Sequence, residues 1–240
     1  MPTDAVTDLV LRPAGAEDAA AMADLYSAAR VAAVPQMPSA MHTNAEDRHW
    51  MAGQLARDDH EGWVAERDAA IVGYALLSPT WLDHLFVHPE HLGSGIGSVL
   101  LDVVKSVRPD GFALWVFESN AGARRFYLRH GLVELERTDG SGNEEKAPDV
   151  RMAWPGADPL AFLRGLIDDV DEQLGDLLAR RVALTRAVQG IKPDTSRDPV
   201  REREIAATLA RRAPELGEER LARIVHTIIT ESLDAAAGGG

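Results

Sequence analysis

LDHLFVHPEHLGSGIGSVLL, residues 82–101, reads as a short apolar strand, a turn containing His and Pro, and three glycines at alternate positions that open an amphipathic helix. The first four amides of a helix have no backbone partner, and its dipole places roughly half a positive charge there. A turn of this kind can hold a phosphate, with Gly93, Gly95 and Gly97 letting the ligand approach the backbone. The spacing matches neither the dinucleotide fingerprint nor the lysine-bearing P-loop. Taken alone, it also fits an ordinary loop leading into a helix.

The 240 residues suffice for one large or two small domains, and a hydrophobic content of 45% with 26% charged residues suits a soluble globular chain. The chain has no cysteine, which excludes disulfides and thiolate metal sites and makes a reducing cytoplasm the expected location. No apolar run approaches the roughly 20 residues needed to span a bilayer, and MPTDAVTD lacks the parts of a signal peptide. The net charge of −13 speaks against a general grip on nucleic acid. No spacing of His, Asp and Glu suggests a metal.

The chain changes character at Ala153–Asp158, AWPGAD. Strands and helices alternate before this point, and everything after it reads helical. The expected division is a first domain over residues 1–155, a second over 157–236, and a frayed tail over 237–240. In the first domain the expected strands are Asp8–Arg12, Gly62–Glu66, Ile71–Ser78, Leu82–Val87, Phe112–Phe117, Leu132–Arg137 and Val150–Trp154. The last is expected to close the sheet. Helices are expected over Ala16–Arg30, Ala45–Ala56, the segment after Gly97, and Asn120–His130, with Asn120 as cap and Gly131 as stop. The loop Val34–Thr43 is expected to border a substrate site.

The element order, VHPEHLGSGIGSVLL, and SNAGARRFY followed by HGL resemble the GNAT acetyltransferase superfamily over residues 5–155. The fold implied is α+β, a mixed and mostly antiparallel sheet with helices on both faces. The implied co-substrate is acetyl-CoA, its pyrophosphate held on the amides of Gly93, Ser94, Gly95, Ile96, Gly97 and Ser98. Its pantetheine arm would pair like an added strand with Leu85, Phe86 and Val87. Tyr127 matches the tyrosine that protonates the departing thiolate, and Asn120 the residue that supports the pantetheine. Read without the resemblance, Tyr127 is a core aromatic and Asn120 a helix cap. For a general base, His84 is preferred over Asp83 and Glu118, and His88 and His91 read as turn residues. The chain departs from the family at Leu92, where Gln or Arg is usual. The acidic balance suggests a cationic amine as acceptor, without identifying it.

After Asp158 and Pro159 a helix of about 45 Å is expected. Leu160, Leu163, Ile167, Val170, Leu174, Leu177, Leu184, Val188 and Ile191 recur by threes and fours as a packing seam, broken at Arg181. A guanidinium there should meet an anion. Lys192 lies about 20° round the helix from Arg181, and Arg164 roughly 100° off that line, so a second chain would have to present Arg164. Further helices are expected from Asp198–Pro199 and over Glu218–Ala235.

LRGLIDDVDEQLGDLLARR, Lys192 and DPVRE resemble the all-helical chorismate mutases, three-helix modules, over about 80 residues. The resemblance implies a homodimer and the rearrangement of chorismate to prephenate in aromatic amino acid biosynthesis, without a cofactor. Arg181 and the second chain's Arg164 would grip the carboxylates, Lys192 reach the ether oxygen, and Glu202 take the ring hydroxyl. Asp198, Arg201 and Ser232 would complete the pocket. Where the family carries Gln or Glu, four residues after Ser232, this chain has Ala236, and the loop after Lys192 is short. A unit that only dimerises or senses such a ligand is the alternative, and isochorismate lyases share the scaffold.

Overall fold

The structure, a computed structural model, describes residues 9–191 and 197–237. The chain forms two compact units, Met1–Leu163 and Arg164–Gly240. No helix among the described residues is long and apolar enough to cross a membrane.

The first unit holds strands β1 (Val10–Pro13), β2 (Glu61–Arg67), β3 (Ala70–Leu77), β4 (Leu82–Val87), β5 (Phe112–Phe117), β6 (Val133–Thr138) and β7 (Asp149–Trp154). Its helices are α1 (Ala19–Ala32), α2 (Asn44–Leu55), α3 (Ile96–Val107) and α4 (Ala121–Arg129). Apolar runs punctuated by turns put β4 and β5 where the sequence predicts them. Helix α1 instead starts three residues late, because Ala16–Asp18 forms a 3-10 turn. Strands β1-β2-β3-β4 form one antiparallel sheet and β5-β7-β6 another. The last strand therefore does not close an edge; it inserts between β5 and β6 and pairs with both.

Trp81 and Ala113 make a single parallel bridge, and from there β4 and β5 part. The parting starts beside a bulge. Leu77 faces Leu82 but Leu76 faces His84, which makes Asp83 the extra residue of β4. Beyond the bridge, no strand among the described residues pairs with the outer edge of β4 along Leu85–Val87. Helices cover both faces. Met22, Leu25 and Met51 of α1 and α2 pack on Val64, Tyr74 and Leu76, while Leu101 and Val104 of α3 pack with Leu82, Phe112, Leu114 and Met152.

His84 belongs to the first of these layers. Its ring stacks on Tyr26 (5.0 Å between centroids) and Trp50 (4.9 Å), and its Nδ1 lies 2.8 Å from the Tyr74 hydroxyl. Burial pushes its pKa down to about 3, so the folded protein keeps the imidazole neutral.

The helices of the second unit are α5 (Pro159–Ile191), whose first five residues are counted with the first unit, α6 (Pro199–Arg212) and α7 (Gly217–Ala237). Asp198 caps α6 by accepting from the amides of Val200 (3.0 Å) and Arg201 (3.1 Å). Ala206, Leu221 and Val225 are buried between α6 and α7. Helix α5 has no buried residue, and its predicted seam lies open, with Ile167 58% and Val170 61% exposed.

The state of His84 makes stability depend on pH. The unfolded chain binds a proton near pH 6.5 that the native state refuses down to about pH 3, so acidification below 6.5 favours unfolding. We expect the fall in melting temperature between pH 7 and pH 5 to be smaller in a His84→Gln variant than in the wild type. Equal falls would show that His84 is not held neutral.

Candidate functional site

Gly93 (φ 79°) and Gly95 (φ 88°) lie in the left-handed region, where a side chain would be strained. This backbone turns the chain sharply into α3, with Gly95 as its N-cap. The amides of Gly93, Gly95, Ile96 and Gly97 make no hydrogen bond among the described residues, whereas Ser94 donates to His91 and Ser98 to Gly95. Four of the six predicted amides are thus free for an anion. They border a groove of about 680 Å³ that runs along Leu85, Phe86 and Val87 to Asn120, Ala123 and Tyr127. Leu92 lines the groove without a polar group to offer.

A second cavity of about 700 Å³ opens on the other side. The two share Met37, Leu85, Phe86, Asn120, Ala123 and Tyr127. Tyr127 is 8% exposed, and burial raises its pKa well above the ordinary phenol value, which keeps the hydroxyl protonated. Asn120 caps α4, accepting from the Ala123 amide at 3.1 Å, while also lining both spaces. Met37 is the residue by which the predicted loop, Val34–Thr43, enters the site.

The second cavity contains groups that sequence reasoning missed. Arg30, 4% exposed, donates to Glu145 at 3.0 Å and to the carbonyls of Pro38 and Ser39. Its guanidinium lies 5.7 Å from the ring centres of both Tyr26 and Phe117. Asp149 accepts from Thr138 and, at 3.0 Å, from Asn143. Asp83 also lines this cavity, its pKa raised by burial. With Arg30 matched to Glu145, the lining retains two carboxylates and no spare cation. Of the expected bases, His84 lines the cavity but faces Tyr74, and Glu118 is drawn to Arg137 at 2.7 Å.

In the second unit, Arg181 and Ser232 converge on the carbonyl of Ile228, Arg181 at 3.3 Å. Arg181 has no carboxylate partner among the described residues. Glu202 is gripped by both ends of the Arg197 guanidinium at 2.7 and 2.8 Å, which lowers its pKa. Arg197 also reaches Thr230 and His226 on α7. Sequence reasoning did not single out Arg197, although it directly precedes the DPVRE turn. Arg164 and Arg201 are exposed, and Lys192 lies outside the described residues.

Comparison with known proteins agrees with both halves of this description. The Acetyltransferase (GNAT) family model matches residues 20–132, and the Chorismate mutase type II model residues 163–236. The peptidyl-lysine N-acetyltransferase YjaB of Escherichia coli is 35% identical over 97 residues, which span 40% of this chain and 65% of YjaB, just under two thirds of its length. An uncharacterized N-acetyltransferase of Archaeoglobus fulgidus is 33% identical over 105 residues, 38% of this chain and 71% of that protein. Among solved structures, apo YjaB from Escherichia coli superposes with a TM-score of 0.51 at 26% identity, covering 62% of this chain and 99% of its own. A GCN5-related N-acetyltransferase from Rhodopseudomonas palustris gives 0.52 at 23% identity, covering 64% and 99%. The chain belongs to the GNAT N-acetyltransferase family, and the helical segment that follows that fold in sequence matches the Chorismate mutase type II model.

Proposed function

We propose that the first unit transfers the acetyl group of acetyl-CoA to a cationic amine in the cytoplasm. The meeting of the two cavities at Tyr127 carries this reading. A thioester lying along the open edge of β4 would present its carbonyl at the junction, its phosphates on the free amides of the glycine turn. The amine would enter from the side lined by Asp83, Glu145 and Asp149, whose excess of carboxylate favours a cation. Once the cation has given up one proton, its neutral nitrogen bonds to the acetyl carbon, the carbon–sulfur bond breaks, Tyr127 gives its proton to the leaving thiolate, and the proton shed by the new amide nitrogen restores the phenol. Asp83 is the better candidate to take the amine's proton, since burial raises its pKa while His84 is too weak a base. His84 then serves to pack and position β4.

For the second unit we propose binding of chorismate in a homodimer, with rearrangement to prephenate. The open apolar seam of α5 supports the dimer, since burying each such side chain is worth roughly 1.5–3 kcal/mol. A partner would also bring its own Arg164 toward Arg181, which stands ready for a carboxylate. Glu202, held by Arg197, would take the ring hydroxyl, with Asp198 and Arg201 of the same helix start beside it. Ala236 favours a second reading, in which this unit holds the ligand without converting it. The pairing of the two activities would suit aromatic amino acid biosynthesis.

Three outcomes test these readings. With a panel of amines that includes a lysine peptide, Tyr127→Phe should lower the rate of acetyl transfer about 100-fold with little change in acetyl-CoA affinity; an unchanged rate would remove the tyrosine from the chemistry. Purified protein should convert chorismate to prephenate, and Arg181→Ala should abolish this. Persistence of chorismate with the wild type would leave the second unit a binding or dimerising module. Light scattering should give twice the 26.0 kDa chain mass, and a monomer would end the model of a shared site.

A further inference from the structure

The groove beside the glycine turn lacks the side-chain donor that the family places at position 92. Leu92 stands there, 68% exposed. Coenzyme A carries a pyrophosphate and a ribose phosphate, and the whole protein carries −13. Yet no Asp or Glu lines this groove, and its single arginine or lysine is Arg129, the last residue of α4. The other titratable residues of the lining are His91 after β4, the buried Tyr127, and His130 next in the chain.

Arg129 is exposed and makes no hydrogen bond or ion pair among the described residues. Its neighbours fix where it stands. The ring of Phe126, one turn earlier, lies 3.6 Å from where a Cβ on Gly97 would be. Nε2 of His130 lies 3.0 Å from the hydroxyl of Ser98. The end of α4 is thus seated against the first turn of α3, beside the free amides. A guanidinium offers donors in a fork that matches phosphate oxygens, and its long stem allows reach across a groove.

We propose that Arg129 grips the phosphates of the coenzyme, supplying from α4 the contact that Leu92 cannot make. This rests on the acetyl-CoA reading above. An arginine at a helix C-terminus could instead serve only the helix dipole, and the test separates the two roles. Dissociation constants for coenzyme A and for pantetheine, which has no phosphate, are measured by calorimetry on the full chain. Arg129→Ala should weaken coenzyme A roughly tenfold and flatten the salt dependence of its binding, while leaving pantetheine unchanged. Adding Leu92→Arg to that variant should recover most of the loss by placing the charge at the turn. Equal losses for both ligands, or no loss for coenzyme A, would overturn the proposal. Failure of the wild type to bind coenzyme A would instead remove the acetyl-CoA reading itself.

Discussion

A strand edge inside a folded protein must find partners for its amides and carbonyls, and the first unit leaves such an edge open. One bridge, between Trp81 and Ala113, holds β4 to β5; past it the two diverge. The extra residue at Asp83 accompanies this divergence, because a bulge bends and twists the strand that contains it. Much of the rest follows from the gap. The glycine turn lies at the far end of β4, α4 and its Tyr127 border the opening, and the loop after α1 reaches it through Met37. A continuous sheet would have had neither a groove nor a junction.

Electrostatics in this molecule works by locality. A net charge of −13 opposes an anionic ligand, but at physiological ionic strength screening limits such repulsion to about 8 Å. The lining of the groove itself offers free amides and the start of a helix, and no Asp or Glu. The adjoining cavity is the reverse, its one arginine consumed by Glu145 and two carbonyls. Two spaces of opposite character therefore share a wall, and Tyr127 stands in that wall.

The sequence displayed whatever depends on neighbouring residues. Strands β4 and β5 were legible because an apolar run between turn residues has few alternatives, and α4 because Asn120 and Gly131 mark its ends. Pairing over distance was not legible. The strand at 149–154 looked terminal in sequence but sits centrally between β5 and β6, since its partners are chosen by the sheet and not by chain order. Arg30 and Glu145 are 115 positions apart, and neither carries a local mark of their contact. His84 looked like a base because it is a histidine on the right strand; the stack of Tyr26 and Trp50 around it could not be read from its flanks. In the second unit, the seam of α5 was evident from its period, whereas its exposure among the described residues was not.

The wall shared by the two cavities bears on how this protein can change over generations. Leu85, Phe86, Asn120, Ala123 and Tyr127 each border both spaces, so a substitution that reshapes the seat of one ligand also disturbs the other. Such positions are poor places for a lineage to reshape either cavity alone. Ser141, Gly142, Asn143 and Glu145, in the segment between β6 and β7, border the second cavity alone. Loops accept insertion and replacement at low cost. Divergence in what the second cavity admits should therefore be written in that segment, while the wall stays as it is.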